Sequence, residues 1–155
     1  MNADSKTLPL RILIADDEIN IRKTLALSLE TEGHQVFAVS NFQDAVRQAA
    51  QAFFDVAFVD LRLGTQNGLD LIPALLAEAP WLKIVVITAY ASIETAVEAM
   101  RRGATDYLPK PFSPAQVNLS LDKISRLKSL EQKLAVLQED LKRANPEIDF
   151  SSTSP

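Results

Sequence analysis

The chain has 155 residues, of which 47% are hydrophobic and 23% charged, a balance typical of one globular domain with an ordinary core. Its formal net charge of -4 at pH 7 gives no electrostatic case for nucleic-acid binding, and the lack of cysteine excludes disulfides, thiolate catalysis and zinc–thiolate sites. The sequence has neither a long apolar run nor the apolar core of a signal peptide, so we expect a cytoplasmic protein that does not bind a membrane.

Short apolar runs alternate five times with stretches of helical spacing. The predicted strands are 10–15, 35–39, 55–59, 83–88 and 105–108, and the predicted helices are 19–32, 42–53, 70–79, 92–102 and one that begins at Pro114. The third and fourth strands are apolar on both faces, as in a sheet covered by helices on both sides. This pattern predicts an α/β protein with a parallel sheet.

Polar residues before the helical stretches predict N-caps. Ser40 or Asn41 is expected to cap the second helix, Asp70 the third and Ser92 the fourth. With Asp70 as the cap, Pro73 lies in the first turn, where its missing N–H costs little.

The fifth helix is predicted to be unusually long, because 115–143 contains no glycine or proline. About thirty helical residues span roughly 45 Å, more than a compact domain needs. Its second half carries a heptad pattern of leucines, at Leu127, Leu130, Leu134, Leu137 and Leu141. This pattern favours a coiled coil in which Arg126 pairs with Glu131 of a second copy. A single amphipathic helix folded onto the domain is the alternative.

Chemically active side chains follow four of the predicted strands. Asp16 and Asp17 close the first strand, Asp60 the third and Thr88 the fourth, and Lys110 follows the fifth. Because the ends of parallel strands meet at one edge of the sheet, we expect these side chains to lie together. Three carboxylates, a hydroxyl and an ammonium group in one place predict a magnesium-dependent phosphorylation site.

Charge repulsion explains why this group implies a cation. Two carboxylates at about 4 Å repel each other by roughly 4 kcal/mol at an effective dielectric constant near 20. A hard divalent cation relieves this repulsion, and oxygen ligands suit Mg²⁺. The run from Asp16 to Glu18 alone could also complement a helix dipole, but the addition of Asp60 favours the cation site.

Asp60 is the candidate nucleophile, because a carboxylate can accept a phosphoryl group as an acyl phosphate. Such a reaction depends on positioning and charge neutralisation. Lys110 would supply a positive charge for a phosphate oxygen and Thr88 a hydroxyl donor.

The strand-end motifs together resemble the receiver domain of two-component response regulators over roughly 9–125. The motifs are Asp16-Asp17-Glu18, Val59-Asp60-Leu61-Arg62, Ile87-Thr88-Ala89 and Asp106-Tyr107-Leu108-Pro109-Lys110-Pro111-Phe112. The resemblance implies a flavodoxin-like (CheY-like) doubly wound, five-stranded parallel sheet in the order 2-1-3-4-5. It implies that Asp60 is the phosphoacceptor, and that Asp17, Asp60 and the backbone carbonyl of Arg62 bind Mg²⁺ directly, with Asp16 acting through water.

The resemblance also implies a switch and partners. Thr88 would turn toward the phosphate and Tyr107 would rotate inward behind it, which would change the face formed by about 90–125. A sensor histidine kinase would donate the phosphoryl group. A homodimer would form through the C-terminal helix and the 90–125 face.

The chain departs from the receiver pattern at Gly64, because receivers usually carry proline four residues after the phosphoacceptor. Gly68 keeps its place eight residues after Asp60, so the loop length is unchanged. We therefore expect the loop 62–67 to be more flexible than usual, with the chemistry intact.

The chain is further similar to sigma-54-dependent transcription activators of the NtrC type, and within them to the alginate-regulator branch. The motifs that carry this similarity are Ala96-Val97-Glu98-Ala99-Met100, Gly103-Ala104-Thr105-Asp106-Tyr107, Asp60-Leu61-Arg62-Leu63-Gly64 and Asn67-Gly68-Leu69-Asp70. The implied organisation is a disordered tail (1–8), a receiver domain (9–125), a coiled-coil dimerisation helix (126–143) and a linker (144–155) to an ATPase output domain. The sequence itself contains no GxxxxGK loop and no helix-turn-helix, so ATP hydrolysis and DNA binding do not belong to this segment.

Two other interpretations stay open at this point. Haloacid-dehalogenase-like phosphatases and phosphotransferases also use a nucleophilic Asp with Thr and Lys, but they place an Asp-x-Asp pair on the first strand, whereas Asp60 follows the third. A stand-alone receiver that acts by direct protein contact, with or without phosphorylation, is the other. Under the leading interpretation the chain is not an enzyme beyond accepting and slowly losing its own phosphoryl group. His34, the single histidine, is expected to face solvent without a role.

Overall fold

The computed structural model describes residues 8–144 and shows the predicted alternation of strands and helices. The elements are β1 (Arg11–Ala15), α1 (Ile19–Thr31), β2 (Gln35–Val39), α2 (Phe42–Gln51), β3 (Val56–Asp60), β4 (Arg62–Leu63), β5 (Gln66–Asn67), α3 (Gly68–Glu78), β6 (Lys83–Thr88), α4 (Ile93–Arg101), β7 (Asp106–Pro109) and α5 (Pro114–Ala144). The predicted tail and linker lie outside the described residues, apart from Leu8 and Ala144.

One parallel sheet has the strand order β2-β1-β3-β6-β7, and β4 and β5 form a separate antiparallel ladder. Counting only the strands of the main sheet, this is the predicted order 2-1-3-4-5. The CheY-like doubly wound fold inferred from the sequence is therefore confirmed.

Hydrophobic residues fill both faces of the sheet. On one face α2, α3 and α4 cover a cluster that contains Phe54 and Leu71, and on the other α1 and α5 cover a cluster that contains Phe58 and Ile124. Every residue of β3 is buried. The central strands are therefore apolar on both faces because helices cover both, as predicted.

Two of the predicted N-caps are confirmed. The Asn41 side chain accepts a hydrogen bond from the Asp44 N–H at 2.8 Å. Ser92 and Thr95 form a capping box at the start of α4. Polar side chains thus fix the starts of α2 and α4.

The predicted cap of α3 is wrong. Asn67, not Asp70, accepts the hydrogen bond from the Leu69 N–H, at 2.9 Å, and the helix begins at Gly68. The start is earlier because β5 ends at Asn67, whose side chain bonds the backbone two residues on. Pro73 therefore lies inside the helix and not in its first turn.

The long C-terminal helix is confirmed, since α5 runs unbroken for 31 residues. Its first half packs on the sheet through Val117, Leu121 and Ile124, which are buried. In its second half the leucines of the heptad pattern are exposed: Leu127, Leu130, Leu134, Leu137 and Leu141. Among residues 8–144, no helix has both the length and the apolar character that crossing a bilayer requires.

The expectation that His34 faces solvent is wrong, because its side chain is only 5% exposed. Nδ1 of His34 accepts a hydrogen bond from the Leu10 N–H at 3.0 Å, just before β1. Burial lowers the pKa of this imidazole below its ordinary value. His34 is therefore a neutral structural acceptor that satisfies a backbone donor beside the sheet.

Candidate functional site

The carboxyl ends of four strands bring the candidate site residues to one edge of the sheet. Asp16 directly follows β1, while Asp60 and Thr88 are the last residues of β3 and β6. Lys110 directly follows β7, and its N–H donates to the Thr88 carbonyl at 2.7 Å. The parallel register of the sheet therefore produces the clustering that the sequence predicted.

Lys110 lies at the centre of this cluster. Its Nζ donates to Asp16 Oδ2 at 2.8 Å, to Glu18 Oε1 at 2.8 Å and to Asp60 Oδ2 at 3.0 Å. Burial alone would lower the pKa of Lys110, but the hydrogen bonds to these carboxylates outweigh it and hold the pKa well above its ordinary value. The Lys110 side chain therefore supplies a permanent positive charge at the site. The peptide bond between Lys110 and Pro111 is cis.

Glu18 is a member of the cluster that sequence reasoning missed. From the sequence, the run from Asp16 to Glu18 predicts a cation site or a favourable contact with a helix dipole, whereas Glu18 ion-pairs with Lys110 from 92 positions away. In the sequence, the only indication that Glu18 belongs to the site is its position next to Asp16 and Asp17. Pairing with a lysine so distant follows from the sheet and not from local spacing.

Asp16 is the most buried carboxylate of the site, with no exposed surface. Burial raises the pKa of Asp16, while hydrogen bonds from Lys110 and from the Glu18 N–H offset part of this rise and the charge of Asp60 adds to it. Asp60 is 4% exposed. Two buried carboxylates thus share one ammonium group, an arrangement that favours additional positive charge.

Three aspartates converge closely enough to bind one ion. A carboxylate oxygen from each of Asp16, Asp17 and Asp60 lies within 4.8 Å of the others. Asp16 and Asp60 are buried and Asp17 is exposed, so the group opens to solvent on one side. An all-oxygen set with one open side fits a hard divalent cation that keeps several of its waters.

The two predicted switch residues have separate hydrogen-bond partners. Thr88 is fully buried, and its Oγ1 accepts from the Tyr90 N–H at 2.9 Å. The hydroxyl of the half-buried Tyr107 lies 2.6 Å from Oγ1 of Thr95. Tyr107 is therefore joined to the capping box of α4, a contact that no pattern in the sequence predicts.

Residues 62–67, for which the sequence predicts unusual flexibility, contain the β4–β5 ladder. Arg62 pairs with Asn67 and Leu63 with Gln66. The Arg62 guanidinium lies 3.8 Å from the centre of the Tyr90 ring, a cation–π contact that attaches the ladder to the loop after β6. The ladder is therefore tied to its surroundings even though proline is absent from it.

Gly68 follows the ladder in a position that admits no side chain. A Cβ atom there would lie 2.0 Å from the backbone oxygen of Asp60. The close approach of α3 to the end of β3 thus requires glycine eight residues after Asp60.

Comparison with known proteins defines the family to which this fold and site belong. Residues 12–122 match the model of the response regulator receiver domain. The chain therefore belongs to the response regulator receiver domain family.

The relatives in sequence agree with the predicted subfamily. The alginate biosynthesis transcriptional regulatory protein AlgB of Pseudomonas aeruginosa is 39% identical over 142 residues, which cover 92% of this chain and 32% of AlgB. The DNA-binding transcriptional regulator NtrC of Azospirillum brasilense is 34% identical, over 93% of this chain and 29% of NtrC. The predicted similarity to NtrC-type proteins and the alginate-regulator branch is confirmed, and the chain spans about a third of these relatives.

Solved structures show the same fold. NtrX of Brucella abortus, in complex with ADP, matches with a TM-score of 0.78 and 30% identity, over 84% of this chain and 30% of NtrX. A response regulator of Burkholderia pseudomallei, with a phosphorylated aspartic acid, calcium ion and citrate, matches with a TM-score of 0.71 and 34% identity, over 88% of this chain and 84% of its own.

Proposed function

We propose that the chain is a phosphorylation switch in which Asp60 accepts a phosphoryl group from a sensor histidine kinase. The observation that carries this proposal is the position of the Asp60 carboxylate, buried at a sheet edge, 3.0 Å from Lys110 and within 4.8 Å of two further aspartates. The phosphorylated aspartic acid of the Burkholderia pseudomallei relative supports it.

The transfer is a substitution at phosphorus. A carboxylate oxygen of Asp60 forms a new P–O bond while the P–N bond of the kinase's phosphohistidine breaks, and the departing imidazole nitrogen takes up a proton. Lys110 holds a phosphate oxygen by charge, and the Thr88 hydroxyl donates a hydrogen bond to another. The chain does no further chemistry than to accept the group and to lose it slowly by hydrolysis.

Mg²⁺ is proposed to bind directly to Asp17, Asp60 and the backbone carbonyl of Arg62. Asp16 would contact the ion through water. The all-oxygen donor set and the shared, buried charge of Asp16 and Asp60 support this assignment. When bound, Mg²⁺ supplies positive charge that neutralises the transferring phosphoryl group. The exposed Asp17 leaves a path by which the ion can enter from solvent.

Thr88 and Tyr107 are proposed to carry the signal away from the site. If the Thr88 hydroxyl turns to the phosphate, the hydrogen bond that its Oγ1 accepts from the Tyr90 N–H is broken. Inward rotation of Tyr107 would break its hydrogen bond to Thr95 and so loosen the start of α4. Phosphorylation would thereby alter the 90–125 face.

The chain is further proposed to work as a homodimer in the cytoplasm. The two copies would meet through the 90–125 face and through the leucine face of α5, which is formed by Leu127, Leu130, Leu134, Leu137 and Leu141. The exposed leucines of α5 support this arrangement. The similarity to AlgB and NtrC supports a role in controlling a sigma-54-dependent activator through 144–155 and an ATPase output domain. On this proposal the receiver segment itself does not bind nucleic acid.

Incubation with acetyl phosphate and Mg²⁺ tests the phosphoacceptor. The wild-type chain should gain the mass of one phosphoryl group in intact mass spectrometry, and Asp60→Asn should gain none. Asp70→Asn, which removes an exposed carboxylate bonded to Arg102, is the matched control and should be labelled like the wild type. Equal labelling of wild type and Asp60→Asn would refute the proposal.

The molecular mass in solution, with and without beryllofluoride and Mg²⁺, tests the dimer switch. Beryllofluoride stands in for the phosphoryl group on Asp60. A change between monomer and dimer, or in the dimer dissociation constant, would support switching. Identical masses and constants in both states, with beryllofluoride bound, would refute it.

A further inference from the structure

Gly64 makes a contact with the metal-site carboxylates that the receiver pattern does not anticipate. Its backbone N–H donates to Oδ2 of Asp17 at 3.0 Å. The two residues are 47 positions apart, so the bond joins the tip of the β4–β5 ladder to the segment between β1 and α1. Within residues 8–144 it is the one hydrogen bond accepted by the Asp17 side chain.

The contact depends on the residue type at position 64. Gly64 has φ +63, a left-handed conformation, whereas the proline ring fixes φ near -65° and removes the N–H. A chain with proline at this position could therefore neither adopt this turn nor donate this hydrogen bond. A Cβ atom at Gly64 would meet no atom within 4 Å, so backbone conformation and the N–H are what the position requires.

The same bond links two proposed ligands of Mg²⁺, the carboxylate of Asp17 and the backbone carbonyl of Arg62. Gly64 bonds the Asp17 carboxylate directly and lies two residues after Arg62 in the chain. The base of the ladder is fixed by the Arg62 N–H, which donates to Asp60 Oδ1 at 3.2 Å, and by the Gly68 N–H, which donates to the Leu61 carbonyl at 2.8 Å. The ladder is thus held between Asp60 at its base and Asp17 at its tip.

We propose that the Gly64 N–H is a positioning group for the cation site. It fixes one carboxylate oxygen of the otherwise exposed Asp17 and leaves the other oxygen for the ion, since a carboxylate has enough lone pairs for both. It also holds the ladder that carries Arg62 in place before the ion arrives. The inference rests on the proposed magnesium site and adds a residue that makes that site bind more tightly.

Calorimetric titration of the full chain with MgCl₂, without any phosphoryl donor, tests this proposal. Gly64→Pro should weaken Mg²⁺ binding by about tenfold, the lower end of the effect of losing a group that orients a metal ligand. Gly64→Asn is the matched control, because asparagine tolerates positive φ and keeps the N–H, so its affinity should stay within about twofold of wild type.

A second variant removes the same N–H and keeps the test valid if Gly64→Pro does not fold. Replacing Gly64 by glycolic acid through semisynthesis changes the backbone amide to an ester, which removes the N–H and adds no side chain. This ester should also lose about tenfold in Mg²⁺ affinity. In the wild type, the Gly64 amide resonance should shift on addition of Mg²⁺.

Each outcome decides between the two proposals. If the wild type binds Mg²⁺ and the ester binds it equally tightly or more tightly, the inference about Gly64 is overturned whatever the affinity of Gly64→Pro, and the proposed site stands. If the wild type takes up no Mg²⁺, the proposed metal site falls, and this inference falls with it.

Discussion

Glu131 accepts a hydrogen bond from Lys83, with 2.5 Å between Oε2 and Nζ, and this ion pair attaches the second half of α5 to the first residue of β6. A second ion pair lies about one turn earlier, where Lys128 Nζ is 3.7 Å from Asp55 Oδ1. The heptad pattern predicts that Glu131 pairs with Arg126 of a second copy. Within one copy of the chain Glu131 contacts the sheet, so the same turn of α5 both packs on the domain and begins the leucine face.

Glu131→Gln should loosen the second half of α5. An exposed ion pair contributes about 0.5 to 1 kcal/mol, so amide hydrogen exchange in this half should speed up by a factor of about two to five. Glu139→Gln removes an exposed carboxylate further along the helix and is the matched control. Equal exchange in both variants would show that the Lys83 contact does not hold the helix.

Leu134→Cys should cross-link two copies of the chain under mild oxidation. Position 134 is an a position of the heptad pattern, and a positions of a parallel coiled coil face each other. Because the chain has no cysteine, an added one reports only on its own site. Glu139→Cys, at the outward f position, should cross-link much more slowly, and equal rates would contradict the leucine-face dimer.

Lys110→Met should destabilise the chain strongly when Mg²⁺ is absent. It leaves Asp16 and Asp60 buried without their shared cation, which costs about 3 kcal/mol in comparable buried pairs. Excess Mg²⁺ should restore part of this loss if the aspartates bind it. Urea denaturation with EDTA or Mg²⁺ measures both effects, with the exposed Lys133→Met as the control. The same loss in both conditions would argue against an ion at these carboxylates.

His34 should make the wild type less stable as the pH falls. Burial lowers its pKa in the folded chain below the ordinary value of 6.5, so the unfolded chain binds more protons just below that value. The contribution of His34 is therefore fully present above about pH 6.5 and is lost as the pH falls through the lowered pKa.

His34→Asn is the control for this pH dependence, because its side-chain oxygen can accept from the Leu10 N–H without titrating. Asp16 titrates in both chains and cancels in the difference between their free energies of unfolding. If the free energies of unfolding of the two chains change in parallel between about pH 5 and pH 8, the pKa of His34 is the same in the folded and the unfolded chain, which would contradict the prediction.

The sequence predicts well whatever depends on strand order. Asp60 and Thr88 end neighbouring parallel strands, so their meeting at one edge follows from apolar runs and their spacing. The caps Asn41 and Ser92 are also predictable, because each side chain bonds the backbone only three residues further along the chain.

Most of the errors and omissions concern contacts between distant segments. His34 is buried because a backbone donor at Leu10 needs an acceptor, and Glu18 joins the site because Lys110 reaches it across the sheet edge. The cap of α3 is an exception, because Asn67 bonds the backbone only two residues on, and it replaces Asp70 because the β4–β5 ladder ends there. None of these contacts has a periodic signal in the sequence. The bond from Gly64 to Asp17 belongs to the same class, although the absence of proline marked the position as unusual.

Chemical mapping of the phosphorylated residue tests the central proposal most directly. The chain would be labelled with acetyl phosphate in Mg²⁺, reduced with borohydride, which converts an aspartyl phosphate to homoserine, and digested for mass spectrometry. Homoserine is expected at position 60 and at no other aspartate. Modification at Asp16 or Asp17, or labelled protein without any change at Asp60, would contradict it.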